Sequence, residues 1–277
     1  GESLYHVLDN IELTKRDPNG PLRVPVVDKM KDMAVYAFGK VESGTIKIGS
    51  KLTCMPNDNQ CQVSGIYNCK QELVRYAKPG ENIQIKLRMI DDENIINKGD
   101  VLCDYDHRAP ITDLFEAELQ ILELLPHKPI MTPGYKSVMH LHTIGDEIVI
   151  KGLSGAYDVD GSGKEYFKKG VKYVKSGSKC IVKIATRVPV SLEKYEFIEH
   201  MGRFTLRDEG KTIALGKVLR YKPAVIKKVE EDTEVKEKLM EKIKQLEQDK
   251  MDNKEVRGKE EEEEKVNGST VHAVNNE

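Results

Sequence analysis

The sequence lacks the features of a membrane or secreted protein. Its 277 residues contain no run of about eighteen apolar residues, so no membrane-spanning helix is predicted, and the N-terminus does not have the pattern of a signal peptide. The five cysteines are an odd number and form no Cys-x-x-Cys pair, which favours reduced thiols over a disulfide framework. We therefore expect a soluble protein of the cytoplasm.

Motifs for catalysis are also absent. The chain has no Gly-x-x-x-x-Gly-Lys-Ser/Thr phosphate loop, no Gly-x-Ser-x-Gly nucleophile elbow and no His-Glu-x-x-His zinc motif. An enzyme acting alone is therefore disfavoured. The sequence predicts that this chain contributes recognition and contains no catalytic residue.

Two patterns could hold a metal ion, and neither is complete. His140 and His142 are two residues apart, which would place them on one face of a strand, but no third ligand stands near them. The run Asp158–Gly163 begins like a calcium loop, yet Lys169 occupies the twelfth position, where such a loop needs a bidentate carboxylate. We predict structural histidines, a hairpin turn and no bound metal.

Charge is abundant but nearly balanced over the whole chain. Charged residues make up 32% of the sequence and the net charge is −2, so the chain is not a general nucleic-acid binder. The acidity is concentrated at the end, because residues 224–277 carry 11 basic and 16 acidic residues, which leaves a net charge of +3 on the rest. Apolar residues recur there at helical spacing, so we predict a helix to about residue 250 and disorder beyond Arg257. The apolar stripe of this helix could pack on the protein itself, on a second copy or on a partner.

Short segments rich in Val, Ile and Tyr dominate residues 21–223 and are separated by Gly, Pro, Asn or Asp. Their alternation, without intervening helical patterns, is typical of small antiparallel barrels. Residues 42–44 are interpreted as a hairpin turn between two strands, and residues 115–124 as a strand, although a helix also fits their periodicity. The predicted fold class is all-β, with two consecutive antiparallel β-barrels and a C-terminal helical and disordered tail.

The predicted domain boundaries follow from the separators. We expect a short helix and linker at residues 1–20, a first barrel at 21–108, a second barrel at 109–223 and the acidic tail at 224–277. The N-terminal segment has helical spacing of its apolar residues, and the run His107–Ile111 separates the two sets of strands.

The stretch Met201–Val218 carries the most information about function. Two arms that alternate apolar and polar residues enclose the turn Asp208–Lys211, in which Gly210 can take a positive φ. These features predict a β-hairpin. Its expected apolar faces are Phe204 and Leu206 in one arm and Ile213 and Leu215 in the other.

Arg203 and Arg207 project from the polar face of the first arm. Two arginines fixed on a strand can bind carboxylates or phosphates bidentately. They could equally be ordinary solvated residues, Arg207 could pair with Asp208 or another carboxylate, and Phe204 could belong to the core. The residues alone leave these alternatives open.

Several motifs in a fixed order resemble one family. Residues 201–218 resemble the third-domain signature of the translational GTPases of the elongation factor Tu and one-alpha group, and their Asp-Glu-Gly-Lys turn resembles most that of the eukaryotic release factor GTPase, the class II termination factor. Residues 21–29 resemble the opening of the second domain, and residues 39–46 resemble its first hairpin. Two further motifs resemble the early third domain, and they are Pro133-Gly134-Tyr135 and His140-Leu141-His142-Thr143. The structural residues of this family motif are then Pro133, Gly134, Tyr135, His140, His142, Gly210 and Gly216.

The resemblance implies a role in translation termination. The third domain of such a protein binds the class I release factor that recognises stop codons, and GTP and magnesium are held by an N-terminal GTPase domain that this chain is expected to lack. No cofactor is therefore expected in this chain. The expected partners are the class I release factor and the ribosome, where contacts with RNA are possible. The chain is expected to be a monomer and not to bind a membrane. The residues placed at or near the partner interface are Gly202, Arg203, Phe204, Arg207 and Asp208.

An elongation or ribosome-rescue role is the alternative, in which related surfaces bind aminoacyl-tRNA or a decoding-factor paralogue. Phosphate binding of that kind should weaken steeply with salt, and the net charge of +3 outside the tail supports it only weakly. The family usually ends soon after the position of Pro223, so the resemblance implies no role for the acidic tail.

Overall fold

A computed structural model describes residues 3–11, 16–32, 34–89, 96–159 and 164–224, which form two short helices and sixteen strands. The helices are α1 (Leu4–Asp9) and α2 (Glu199–Gly202). The strands of the first half are β1 (Arg23–Lys31), β2 (Val35–Lys40), β3 (Ile46–Lys47), β4 (Lys51–Met55), β5 (Asn59–Tyr67), β6 (Leu73–Val74), β7 (Tyr76–Ala77), β8 (Asn82–Met89) and β9 (Val101–Asp104). Those of the second half are β10 (Ile111–Ile121), β11 (Lys136–Leu141), β12 (Ile144–Val159), β13 (Glu165–Lys169), β14 (Lys179–Ser191), β15 (Arg203–Asp208) and β16 (Lys211–Tyr221).

Each half closes into an antiparallel barrel. The first barrel follows the order β4-β9-β1-β2-β8-β5, and β5 pairs back with β4. The second follows β11-β15-β16-β10-β14-β12, and β12 pairs back with β11, while β13 lies outside the ring beside β12. Closure satisfies the backbone groups that a sheet edge would expose. The all-β prediction of two consecutive barrels is confirmed.

Alternating burial along the strands builds two separate cores. Every second residue of β2 and of β11 is buried, as the two-residue period of a strand requires when one face meets the core. Residues 115–121 belong to β10, and Phe115, Leu119 and Ile121 are buried in the second core. The choice of a strand for this ambiguous segment is thus confirmed as far as Ile121.

The hairpin predicted around residues 42–44 is wrong. β2 pairs with β1 and β8, whereas β3 pairs with β7. The turn instead folds back on the first strand, where the backbone N–H of Arg23 donates to the carbonyl of Ser43 at 3.0 Å and that of Glu42 donates to the carbonyl of Arg23 at 2.9 Å. Local alternation predicts a strand but does not name its partner, and this partner lies about thirty residues away.

The N-terminal helix is short, and its apolar residues Leu4, Val7 and Leu8 are exposed. The helix and the disordered end predicted for the acidic tail lie outside the described residues, which end at Ala224. Between the barrels, β9 ends at Asp104 and β10 begins at Ile111.

A small apolar cluster joins the two barrels. Met55, Val101 and Cys103 of the first barrel form one buried group with Ile111 and with Met201, which precedes β15. Since removal of apolar surface from water is favourable, this cluster helps to hold the base of the β15–β16 hairpin against the first barrel.

A buried ion pair reinforces the same junction. Arg23 on β1 donates from Nε and Nη2 to Oε1 of Glu193 at 3.0 and 2.8 Å, and the two residues are 4% and 6% exposed. Nη1 of Arg23 also donates to the carbonyls of Leu22 and His107 at 2.8 Å each. Because its donors are satisfied on several sides, the guanidinium tolerates burial that an unpaired charge would not.

Candidate partner-binding site

The β15–β16 hairpin has the turn that its sequence predicts. Asp208 pairs with Lys211, and the two residues between them, Glu209 and Gly210, have φ values of 49° and 79°. Two successive positive φ values are typical of a type I′ turn, whose twist matches that of the flanking strands. The predicted positive φ of Gly210 is therefore confirmed.

A β-bulge changes the phase of the second arm. Leu206 pairs with Ala214 and Arg207 with Thr212, so Ile213 is an extra residue on β16. As a result Ile213 and Ala214 are both buried, and Leu215 is 46% exposed. The prediction that Leu215 lies on the apolar face is wrong, because strict alternation cannot continue through a bulge.

The tip of the hairpin is tied to the loop before β11. The hydroxyl of Tyr135 donates to Oδ2 of Asp208 at 2.9 Å, and Nζ of Lys128 lies 3.0 Å from the same oxygen. Burial, followed by the bond to Asp208, raises the pKa of Tyr135 above its ordinary value. Glu209 lies 3.1 Å from Nε2 of His127. Asp208 therefore fixes the tip in place, and it presents little free oxygen to solvent.

Arg207 is exposed beside this tip. Its Nη2 donates to the carbonyl of Gly210 at 2.6 Å and so closes the turn from the side. Asp208 is engaged by Tyr135 and Lys128, so the alternative of an Arg207–Asp208 ion pair is not realised. Because Arg207 is exposed, the remaining donors of its guanidinium can reach an acceptor on a partner.

Arg203 lies at the opposite end of the same strand. Its Nη2 lies 2.8 Å from Nδ1 of His200, and its Nη1 lies 3.6 Å from Glu199. Burial lowers the pKa of His200; Glu42 of the first barrel opposes this effect and Arg203 reinforces it. The two arginines are four positions apart on the strand, which corresponds to roughly 13 Å, so they would contact different regions of a partner.

The base of the hairpin opens into a cleft between the barrels. Its volume is about 950 Å³, and charged side chains of both signs line it. Lys40 and Glu42 come from the first barrel, and His140, Arg203 and Lys217 from the second. Such mixed charge suits a polar protein surface better than a uniformly charged ligand.

Two of the five predicted contact residues are buried. Phe204 is 3% exposed and packs edge to face on Phe115, with ring centroids 5.8 Å apart. A Cβ on Gly216 would lie 2.2 Å from the Phe204 ring, and one on Gly202 would lie 2.4 Å from the backbone of Tyr195. The ring of Phe204 is thus a core residue and not an exposed anchor, and Gly202 allows a close backbone approach. For Arg203, Arg207 and Asp208, contact with a partner stays a prediction.

The two histidines do not share a strand face. β11 ends at Leu141, and His142 stands in the turn to β12 with a φ of 38°, while His140 is exposed on the strand. Nδ1 of His142 accepts from the N–H of Thr143 at 2.8 Å, so Nε2, which lies 3.0 Å from the carbonyl of Ser191, carries the proton. Burial lowers the pKa of His142 to about 4. Both ring nitrogens are occupied, and no group of metal-ligating side chains occurs among the described residues.

The Pro133–Tyr135 motif is a turn that positions Tyr135. Gly134 has a φ of 92°, and its N–H donates to the carbonyl of Ile150 at 2.7 Å. The turn thereby directs Tyr135 inward, where it reaches Asp208. The junction pair Arg23–Glu193 is the feature that sequence reasoning missed, because the two residues are 170 positions apart and no local pattern connects them.

Comparisons with known proteins match each barrel to a family of domains. The family model of elongation factor Tu domain 2 matches residues 34–103, and the GTP-eEF1A C-terminal domain-like family matches residues 114–219. The two matches follow one another in the order of the barrels. The chain therefore belongs to the elongation factor Tu and one-alpha family of translational GTPases, of which it carries the second- and third-domain barrels.

Within that family the chain is homologous to eukaryotic peptide chain release factor GTP-binding subunits. It is 37% identical to the protein of Ogataea pini and 34% identical to that of Schizosaccharomyces pombe, in each case over 220 residues and 79% of this chain. The alignments span 29% and 32% of those two relatives, so the chain matches about a third of their length.

Solved structures agree with this relationship. Sup35 complexed with GDP has a TM-score of 0.68 and 34% identity, over 80% of this chain and 52% of that chain. The elongation factor SelB from Methanococcus maripaludis has a TM-score of 0.62 at 18% identity, over 79% of this chain and 47% of that one, and it shares the fold. Among the described residues, no helix is long and apolar enough to span a membrane.

Proposed function

We propose that this chain is the recognition part of a translation-termination GTPase, whose two barrels bind a class I release factor and support stop-codon termination and peptide release on the ribosome. The observation that carries the proposal is the 37% identity to a release factor GTP-binding subunit, which runs through both barrels. The elongation factor SelB shares the architecture at 18% identity. The identity of 34–37% to release factor subunits, over 79% of this chain, is what supports termination as the role.

The exposed face of β15 is the proposed contact surface. Arg203 and Arg207 are exposed at its two ends. Arg203 contacts His200 and Glu199, and Arg207 donates to the carbonyl of Gly210, so the donors left over on each guanidinium are the ones proposed to bind carboxylates of the partner. Phe204 supports this face from below by packing on Phe115, so it acts through the position of the strand. The tip is held rigid by Asp208, which lowers the entropy cost of binding.

We assign no chemical step to the two barrels. The single Gly-Lys-Thr run of the chain, at residues 210–212, lies in the β15–β16 hairpin, where it cannot form the strand-to-helix phosphate loop of a GTPase. GTP and magnesium would therefore be bound by residues outside the barrels. Because the apolar cluster and the Arg23–Glu193 pair join them, the barrels can act as one arm that GTP hydrolysis elsewhere repositions.

Calorimetric titration of the purified chain tests the proposal. A class I release factor should bind, and aminoacyl-tRNA should bind more weakly. Arg207→Ala and Arg203→Ala should each weaken binding of the class I factor by about 1–3 kcal/mol, the range of interface arginine anchors. Arg187→Ala, which removes an exposed arginine of β14 in the same barrel, is the matched control and should change the affinity little.

The outcomes separate the alternatives. Binding to aminoacyl-tRNA alone would favour an elongation or rescue role and refute the termination proposal. Equal losses for Arg187→Ala and Arg207→Ala would indicate a general charge effect and refute the assigned surface. Measurement of the thermal unfolding midpoint of each variant shows whether a loss of binding comes from a loss of folding.

A further inference from the structure

One segment of the second barrel concentrates positive charge and aromatic side chains. Residues 166–183, from β13 to the middle of β14, contain six lysines, three aromatic residues and no acidic residue. The chain as a whole has a net charge of −2, so this density is local. We call residues 166–183 the basic segment.

The backbone of the basic segment is held in place. β13 pairs with β12, with Phe167 opposite Tyr157 and Lys169 opposite Gly155. Further on, Val174 is buried, and its backbone exchanges two hydrogen bonds of 3.0 and 2.9 Å with Met131. The lysines are therefore presented from an ordered scaffold.

Five of the six lysines are free to meet a ligand. Lys179 lies 3.6 Å from Glu118. The others are exposed, and none forms an ion pair with another residue that the structure describes; they are Lys168, Lys169, Lys172, Lys175 and Lys183. The protein relieves their mutual repulsion only in part, because Lys175 lies over the ring of Tyr173 with Nζ 5.9 Å from its centroid and Lys183 interacts with the charge of Glu116. A polyanion would relieve it further.

The aromatic side chains stand among these charges. Tyr166, Phe167 and Tyr173 are 47%, 37% and 50% exposed, although burial of such rings is the usual outcome. Phe167 packs against Tyr157 at a centroid distance of 5.2 Å and lies close to Gly155, where a Cβ would come within 2.4 Å of the ring. The orientation of this ring is therefore fixed.

A groove of about 510 Å³ runs beside Phe167. Phe167, Ile181 and Leu219 form its apolar lining. Lys169, Lys183 and Arg220 line it as well, and so does Glu116, whose carboxylate is paired with Arg220. Because the charge of Glu116 is matched by Arg220, the groove combines an apolar surface with the two unpaired ammonium groups of Lys169 and Lys183, which suits a base and its flanking phosphates.

We propose that the basic segment and this groove bind single-stranded RNA. Exposed aromatic rings stack on unpaired bases, and lysines neutralise the phosphates. A duplex would hide the faces of its bases from these rings, and an acidic peptide would satisfy the lysines but leave the rings unpartnered. The inference is independent of the termination assignment, which concerns the face of β15.

Fluorescence anisotropy with a labelled single-stranded RNA tests the proposal. The RNA is about twelve nucleotides long, which is within the usual range of single-strand sites. The full chain is titrated between about 50 and 200 mM salt. A quadruple variant replaces four of the lysines by glutamine: Lys168→Gln, Lys169→Gln, Lys172→Gln and Lys175→Gln. Its affinity should fall at least about tenfold. The magnitude of its slope of log affinity against log salt should fall by about 3, since each phosphate contact contributes about 0.7.

A matched control removes the same charge elsewhere. Lys47, Lys51, Lys70 and Lys98 are exposed in the first barrel, and their simultaneous replacement by Gln should leave the affinity within about twofold. Tyr173→Ala should weaken binding about 5- to 100-fold without changing the salt slope, whereas Tyr173→Phe should bind like the unchanged chain, because stacking needs the ring and not the hydroxyl.

Three results would overturn the proposal. They are an absence of binding by the unchanged chain at low salt, equal losses in the two quadruple variants, and binding of duplex RNA or polyglutamate as tight as that of single-stranded RNA. Unchanged thermal unfolding midpoints in the variants keep these readings separate from misfolding. Titration with a class I release factor, which should not respond to the quadruple variant, separates this proposal from the proposed function.

Discussion

Removal of Glu193 should destabilise the protein strongly, because it leaves Arg23 charged and buried. Arg23 is 4% exposed, and its guanidinium gives two of its donors to Oε1 of Glu193, at 3.0 and 2.8 Å. Breaking a buried pair by deleting one partner costs about 3–5 kcal/mol. Arg23 keeps its two carbonyl acceptors at 2.8 Å in the variant, so we expect Glu193→Ala to cost about 3 kcal/mol of the free energy of unfolding, at the lower end of that range.

The assay is urea unfolding followed by circular dichroism, with the free energy extrapolated to water. Glu147→Ala is the control, since Glu147 pairs with Lys136 at 3.4 Å across side chains that are 51% and 69% exposed, and such surface pairs contribute about 0–1 kcal/mol. The double variant Arg23→Met with Glu193→Leu should recover much of the loss, because it buries no unpaired charge. A loss below about 1 kcal/mol for Glu193→Ala would refute the reasoning and indicate that water reaches the guanidinium.

Other substitutions address the hairpin and the buried histidine. Gly216→Ala should destabilise by about 1–3 kcal/mol in urea unfolding, because its Cβ would lie 2.2 Å from the Phe204 ring. Gly210→Ala should cost only about 1 kcal/mol, since nothing lies within 4 Å and the strain comes from its φ of 79° alone. The pKa of His142, about 4 in the folded chain against an ordinary 6.5, means that the unfolded chain takes up the proton first as the pH falls. The free energy of unfolding should thus be unaffected at pH 7 and should fall by about 3 kcal/mol as the pH drops from 6.5 to 4. Urea unfolding at several pH values measures this decrease, and the variant His142→Gln should not show it.

The period of the strands made most of the fold predictable. Alternating apolar residues placed β2, β10, β11 and β15 because a strand with one buried face must show them. The same period failed at Leu215, where the bulge at Ile213 reverses the faces, since a bulge has no apolar signature of its own. It also could not show that β3 pairs with β7, because pairing depends on the path of the whole chain.

The sequence predicted the hairpin of the candidate site but not the contacts that its residues make. The alternation that indicated a hairpin also indicated that Phe204 faces the core, and the structure places it there. The part of Asp208 could not be foreseen, because its partners Tyr135 and Lys128 are 73 and 80 residues away. The basic segment was visible in the sequence, since six lysines without an acidic residue among residues 166–183 form a local excess that the nearly neutral total conceals.

The ion pair at the barrel junction has a consequence for exchange of parts between relatives. Arg23 belongs to the first barrel and Glu193 to the second, so each barrel contributes one member of the buried ion pair. A chimaera that takes one barrel from a relative without the matching partner would bury an isolated charge at the seam. We therefore expect the two barrels to be inherited and transplanted together, and a functional hybrid to require positions 23 and 193 from the same parent.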